Sequence, residues 1–406
     1  MRYETSCGEV FEWKPVPLPC KCKHCKNNQA LVRLEAQRLA LCKECFLKFF
    51  ENRVKKCIET YKMFFNAKKI GIFLSGGKDS SSLLVALKHC FPELSLIGIH
   101  INLGIKYHSE EVETLVREVC QKWEVPLYVY DLVKEEGFSI DDFVFTHFKN
   151  KICSVCGVIK RGLFSQIARK LELDVVCTGH HLDDMLSTML NLFFQGSFES
   201  LIRLTPTLPP LTKGQVKKVK PFFTTPEKEI FYYAVLREIP IKPLECPHTE
   251  GENIPGKKYR EFLNYWEKKN PQFKYQALSV FTKKLIPLLK KSFKTEEEIS
   301  SCKICGEPTS SKDGICTRCK RKELLSQVEK TPLELSWEEA QKEKVRIFPL
   351  EELPEGVLEK RKNAILKFFK PYKKEKIGIK GENLKLVYSL VLKLKKLGFE
   401  AYLIKT

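Results

Sequence analysis

The chain has 406 residues, 43% of them hydrophobic and 30% charged, with a formal net charge of +20. No run of about 18 apolar residues occurs, and Met1 to Trp13 holds no apolar signal core, so the sequence predicts no membrane contact and a cytoplasmic location. Seventeen cysteines in such a chain argue for metal sites and thiol chemistry over a disulfide scaffold, and the surplus of cations argues for a polyanionic partner.

That length predicts two to four globular units. Shifts of composition divide the chain into five parts: an N-terminal zinc-binding module and linker helix at 1–66, an α/β domain at 67–255, a basic helical segment at 256–298, a C-terminal zinc ribbon at 299–331 and a small α/β tail at 332–406. In the first, Cys22, Cys25, Cys42 and Cys45 form two CxxC pairs separated by fewer than twenty residues. Tetrahedral zinc uses this spacing, with Cys20 left over and His24 as an alternative ligand. Phe46 to Phe65 reads as a basic and aromatic helix leading into the α/β domain.

There an apolar run, Ile70 to Leu74, meets Ser75-Gly76-Gly77-Lys78-Asp79-Ser80 and then a helical run, Ser81 to His89. Strand, glycine turn and helix in that order aim backbone amides at one point, where the helix dipole favours negative charge. Lys78 is expected to add a cation, and Ser75 and Ser80 hydroxyl donors, so the expected ligand is a row of phosphates. The stretch does not match the Walker spacing.

Further strands are expected over Leu96–Ile101, Leu127–Leu132 and Asp174–Thr178. Helices are expected over Glu110–Trp123, from near Cys156 to Leu171, and from Asp183 to Phe194. Thr225-Pro226-Glu227 reads as the start of another, with Thr225 capping and Pro226 in the first turn. Alternation of this kind gives a mostly parallel sheet with helices on both faces, and ligands bind at the carboxyl ends of its strands. Thr178-Gly179-His180-His181-Leu182-Asp183-Asp184 ends one such strand, so it should share that edge with the glycine turn. Gly179 permits close approach to a nucleotide, and Asp183 and Asp184 suit Mg2+ or proton handling beside phosphates, or simply cap the helix.

Cys153 and Cys156 form an internal CxxC just before a helix, followed by Lys160 and Arg161, while Cys246 stands alone in Glu245-Cys246-Pro247. A redox dithiol, a third zinc site and part of an iron–sulfur site all fit that spacing. Gly256 to Lys294 is rich in lysine, with Arg260, Lys274, Tyr259, Tyr265, Trp266, Phe273 and Tyr275 interleaved, as for phosphates and unpaired bases or for a solvated helix with its aromatics turned inward. Cys302, Cys305, Cys316 and Cys319 make the second zinc site, a ribbon that is either purely structural or presents Lys303, Lys312, Arg318, Lys320 and Arg321 to nucleic acid. In the tail, a strand at Lys376–Lys380, a helix at Leu384–Leu397 and a strand at Phe399–Ile404 make a βαβ-like module, read as a stabilising or docking appendage.

SGGKDS resembles the PP-loop of the N-type ATP pyrophosphatases, an adenine nucleotide alpha hydrolase-like α/β fold. The whole order, a CxxC pair, SGGKDS, an internal CxxC, GHxxDD, a lone cysteine before proline and a terminal CxxC pair, resembles the tRNA 2-thiouridine synthetases of the TtuA type over about Cys22 to Cys319. That resemblance implies ATP-dependent adenylation of a uridine C2 oxygen and its replacement by sulfur. It implies Phe73, Leu74, Ser75, Gly76, Gly77, Lys78, Asp79, Ser80, Ile101, Gly179, Asp183 and Asp184 around ATP and Mg2+, with Lys160 beside the reaction. It implies a [4Fe-4S] cluster on Cys153, Cys156 and Cys246, two Zn2+, tRNA as substrate, a ubiquitin-like sulfur carrier with a C-terminal thiocarboxylate, and a homodimer. T-loop and wobble thiolases share these motifs; the flanking residues favour the T-loop. A cluster-free persulfide thiolase, a PP-loop amidotransferase or synthetase, and a zinc-ribbon RNA-binding protein are the alternatives. Three departures stand out: His181 replaces the family's Asn, the segment from Gly251 to Lys258 has no clear counterpart, and the tail after Pro332 lies outside the likeness.

Overall fold

A computed structural model of the chain describes residues 2–4, 10–210, 215–249, 256–293 and 299–405; Lys294 and most of the segment from Gly251 to Lys258 lie outside them. Six strands form the central sheet: β1 (Lys69–Leu74), β2 (Ser95–Asn102), β3 (Leu127–Asp131), β4 (Val175–Cys177), β5 (Thr207–Leu208) and β6 (Lys217–Val219). Their order is β3-β2-β1-β4-β6-β5. All neighbours run parallel except β5 and β6. β1 lies in the middle, pairing Ile72 with Gly98 on one side and with Cys177 on the other. Its continuous apolar run is what a parallel strand covered on both faces requires.

One face is covered by α1 (Lys43–Thr60), α2 (Lys78–Cys90), α3 (Ser109–Lys122) and α6 (Glu227–Leu236), which pack with the N-terminal cysteine module into one core. The segment after Gly256 joins the same core through Leu263 on α7 (Lys257–Lys269) and Leu278 on α8 (Phe273–Val280). The other face is covered by α4 (Ile152–Lys170), joined by the tail. The helix α5 (Leu182–Phe194) follows β4. No helix among the described residues is long and apolar enough to cross a membrane.

Several local expectations change. The Cys153–Cys156 pair lies within the first five residues of α4, which starts at Ile152, and not before it. Pro226 itself, with extended backbone, is the N-cap of α6, and the hydroxyl of Thr225 is buried without a hydrogen-bond partner. The tail is larger than a βαβ unit: β7 (Glu334–Ser336), β8 (Arg346–Pro349), β9 (Lys376–Lys380) and β10 (Glu400–Lys405) form a parallel sheet in the order β7-β10-β9-β8. Its helix α10 (Leu384–Lys396) is no peripheral appendage, because Val387, Tyr388 and Val391 belong to the core that also contains Phe73, Ile99 and Ile101 of the central sheet.

Candidate active site

β1 ends at the centre of the sheet, and Ser75 to Gly77 turn the chain into α2. Gly76 has φ +76°, and a Cβ there would stand 2.6 Å from Val112, so no other residue fits the turn without strain. Gly77 is the N-cap and offers no side-chain acceptor, which leaves the first-turn amides of α2 for a ligand. Ser75 is exposed. Ser80 instead braces the turn: it is buried, its hydroxyl accepts from the Ser75 amide at 3.1 Å and donates to the Gly77 carbonyl at 3.2 Å.

Lys78 departs from the expected role of a cation facing phosphate. It is 1% exposed, and its ammonium is held by Glu227 at 2.6 Å and Asp79 at 2.8 Å, with the rings of Tyr3 and Phe11 5.6 and 5.3 Å away. Burial acts to lower its pKa, but Asp79 and Glu227 outweigh this and raise it, so it stays charged. Arg260 then bridges Glu227, at 2.9 Å, to Asp184. The sequence pattern places Arg260 and Lys274 among outward-facing cations, for RNA or for solvent. Both are internal: Lys274 is buried, bound to Asp183 at 2.5 Å and Glu267 at 2.8 Å. A cationic side chain among tyrosines and phenylalanines carries no mark of which face it turns inward, so only the fold reveals Glu227, Arg260 and Lys274 as one network.

The Thr178–Asp184 segment meets the turn directly. A Cβ on Gly179 would lie 2.9 Å from the Ser80 amide nitrogen and 3.1 Å from the carbonyl carbon of Asp79, so the two backbones touch because residue 179 has no side chain. His181 is buried among carboxylates, 3.3 Å from Asp184, 3.7 Å from Asp183 and Glu227, and 4.0 Å from Asp79. Burial would lower its pKa, but the charges of Asp184, Glu227 and Asp79 dominate and push it up to about 9. Asp183 is an anchor, accepting from the Glu227 amide at 2.8 Å as well as binding Lys274. Asp184 is the partly exposed member of the pair and also closes the first turn of α5, accepting from the His181 amide at 3.3 Å. Asp79, His181 and Glu227 have donor atoms within 4.8 Å of one another, but Lys78 and Arg260 already sit on these carboxylates, which makes the group a balanced charge network.

The cysteine helix abuts this edge. Phe73, at the end of β1, stacks on Phe164 of α4 with centroids 3.9 Å apart. Lys160 lies one turn beyond Cys156. It is near enough to His100 to act on it: burial chiefly lowers that imidazole's pKa, the Leu74 carbonyl at 2.9 Å opposes this, and Arg117 and Lys160 add to the lowering. Ile101 and Leu74 are buried in the cores on the two sides of the sheet. Cys153 is exposed, and Cys156 and Cys246 are half-buried. The Cys246 thiol is pushed up to about 11, chiefly by burial, with the charges of Cys156 and Cys153 adding to it, and Cys156 and Cys246 pack against the same core. The three sulfurs do not form a set within 4.8 Å, unlike the two four-cysteine groups.

Those groups are Cys22, Cys25, Cys42, Cys45 and Cys302, Cys305, Cys316, Cys319; Cys20 and His24 stand outside the first. Burial opposes ionisation of Cys22 and Cys302, but neighbouring backbone amides outweigh it and draw both down to about 6, as a thiolate metal ligand requires. The ribbon's helix α9 (Thr317–Leu324) is fastened to α4. Arg318, expected to be free for nucleic acid, is buried against Gly162 and binds Glu136 and, at 3.1 Å, Gln166. Arg321 donates to the Ser154 carbonyl at 2.8 Å, inside the CxxC turn.

A family model described as a PP-loop domain matches residues 47–241. A tRNA-5-methyluridine(54) 2-sulfurtransferase of Pyrococcus horikoshii is 33% identical over 318 residues, spanning 77% of this chain and 97% of its own. One of Thermotoga maritima is 32% identical over 314 residues, spanning 77% of this chain and 99% of its own. The solved U34-tRNA thiolase NcsA of Methanococcus maripaludis, which carries a [4Fe-4S] cluster, matches with a TM-score of 0.64 at 24% identity over 77% of this chain and 99% of its own, a likeness of fold. With nearly the whole of two such sulfurtransferases matched, and with the PP-loop, the Gly179 approach and the cysteine helix at one sheet edge, the chain belongs to the TtuA-type family of PP-loop tRNA 2-thiouridine synthetases.

Proposed function

We propose that this protein is an ATP-dependent tRNA sulfurtransferase that converts a uridine, in the T-loop, to 2-thiouridine. The observation that carries the reading is the meeting of the Ser75–Ser80 turn, the Gly179 segment and the cysteine helix along one edge of the sheet. The uracil C2 oxygen is a poor leaving group. Its attack on the α-phosphorus of ATP expels pyrophosphate and leaves C2 bonded through oxygen to AMP. A sulfur nucleophile then adds at C2, the C2–O bond breaks, AMP departs and a C2=S bond remains.

Within that scheme the amides from Gly77 into α2 and the exposed Ser75 hold the phosphates, and Mg2+ accompanies them beside Asp79 and Asp184. Phe73, Leu74, Ile101 and Gly179 frame the nucleotide. Lys78, Asp183, Glu227 and Arg260 hold the carboxylates and the turn in place, and Lys160 supplies positive charge where the anionic leaving group forms. Cys153, Cys156 and Cys246 would hold a [4Fe-4S] cluster: thiolates are the usual ligands of such a group, Cys156 and Cys246 pack against the same core, and all three lie outside the two four-cysteine sets. Such a cluster, with three protein ligands, supplies an open iron for binding sulfur. The two four-cysteine sets hold Zn2+. The exposed lysines after Gly256 bind tRNA, a protein thiocarboxylate is the donor, and the enzyme works as a homodimer.

The test is an anaerobic reaction of cluster-loaded protein with ATP, sulfide and unmodified tRNA, followed by nuclease digestion and mass mapping. Thiouridine in the T-loop fragment is expected. Thiouridine confined to the anticodon fragment would move the target to the wobble position, and equal turnover by iron-free protein would mean that sulfide reaches C2 without a cluster. No thiolation at all would overturn the proposal.

A further inference from the structure

The reading above gives the tail no part, and the Pyrococcus relative is matched almost entirely without about a quarter of this chain. Yet helix α10 of the tail reaches the segment that carries Cys246. Tyr388 is 1% exposed, and its hydroxyl donates to Asp141 Oδ2 at 2.7 Å. The other oxygen of that carboxylate, Oδ1, accepts from His248 Nε2 at 2.5 Å. The neighbouring Ser389, also buried, donates its Oγ proton to the Pro247 carbonyl at 3.2 Å. Thus the two residues after Cys246 are each tied to α10, Pro247 directly and His248 through Asp141. Asp141 is itself fixed from a third direction by the Lys106 amide at 3.0 Å.

Cys246 needs such support. Cys153 and Cys156 ride on a 19-residue helix, whereas Cys246 lies on a stretch with neither helix nor strand from Ile239 to Thr249. A ligand set must be held within about 0.5 Å of its working geometry, which an unbraced loop does not provide. The brace also bears on the bound group, because the outer partners of a ligand fix its orientation and tune the site.

We propose that Tyr388 and Ser389 are positioning residues: acting through Asp141 and the Pro247 carbonyl, the tail holds the Cys246–His248 turn so that its thiol meets Cys153 and Cys156. The cluster-related part rests on the iron–sulfur reading above; the geometric part does not.

The test uses the full chain and two variants, Ser389→Ala and the double variant Tyr388→Phe/Ser389→Ala, which remove hydroxyls and keep the apolar bulk. In cluster-loaded protein, iron loss to a chelator is followed at the cluster absorbance, and the reduced cluster by EPR. In cluster-free protein, iodoacetamide alkylation of each cysteine is mapped by mass. The double variant should lose iron about 10–100-fold faster, the usual cost of removing an outer support. Its EPR signal should shift, and Cys246 should alkylate faster while Cys153 and the eight paired cysteines keep their parental rates. Ser389→Ala should fall between. Parental iron retention, EPR and Cys246 labelling in the double variant would overturn the proposal. Should the parent itself take up no cluster, the iron–sulfur reading fails, and the Cys246 labelling rates decide the positioning role alone.

Discussion

Lys78 cannot be removed without stranding two carboxylates, one of them Glu227, itself buried. Breaking a buried pair by deleting one partner costs about 3–5 kcal/mol, and Arg260 on the other oxygen of Glu227 places this case near about 3. Lys78→Met should therefore lower Tm as well as AMP formation, and Lys78→Met/Glu227→Gln should recover part of the Tm. A Lys78→Met protein with parental Tm would show that the pair carries no stability. His181 makes a second prediction. Its folded pKa, about 9, lies above the ordinary 6.5, so its contribution is fully present below about 6.5 and is lost as pH rises through about 9. The Tm gap between parent and His181→Gln should be wide at pH 6 and close by pH 10, read by calorimetry; a gap independent of pH would mean the ring is neutral throughout. These roles were half legible. SGGKDS and GHxxDD mark themselves by glycine spacing at strand ends. Nothing in the local sequence says that Lys78 turns from the ligand toward a carboxylate on a helix far along the chain, or that Asp141 joins Tyr388 to His248.

The helices after Gly256 carry lysines of two kinds. Lys258, Lys268, Lys269, Lys283 and Lys284 are exposed, while Lys274 is spent on Asp183 and Glu267. Neutralising one phosphate contributes a slope of roughly 0.7–0.9 in a plot of log affinity against log salt. Lys268→Ala/Lys269→Ala should weaken tRNA binding and reduce that slope by about one to two, measured by filter binding across salt. Lys274→Met should leave the slope unchanged and lower Tm; the reverse pattern would exchange their roles. At this scale the sequence is read well where periodicity is strong, as in β1, α2 and α3, and where metal spacing is fixed, as in both four-cysteine sets. It is read poorly where elements are short: β5, β6, β7 and β8 have two to four residues each, too few to show alternation, and β8 ends in proline.

The tail and the central sheet share one core, so the chain has no clean boundary at Pro332. A chain ending at Glu329 would bare the apolar surface that Val387, Leu390, Val391 and Leu394 cover. At about 1.5–3 kcal/mol for each such side chain, the loss rivals the whole stability of about 5–15 kcal/mol of a typical domain. That truncation should aggregate or melt far below the full chain by light scattering and calorimetry; a soluble fragment with parental Tm would restore the tail to a detachable appendage. The break in composition there is real, but composition records which residues are present and not what they cover.

A core closed by the last segment of the chain also sets a timetable for synthesis. The central sheet and α4 are both synthesised by Val219, while the tail helix that completes the core on α4's side begins at Leu384. At about 5–20 residues per second, that side waits on the order of ten to thirty seconds for its cover, long enough for a chaperone to bind it. In growing cells, nascent chains stalled before Leu384 should therefore carry a holding chaperone that chains released at full length have shed.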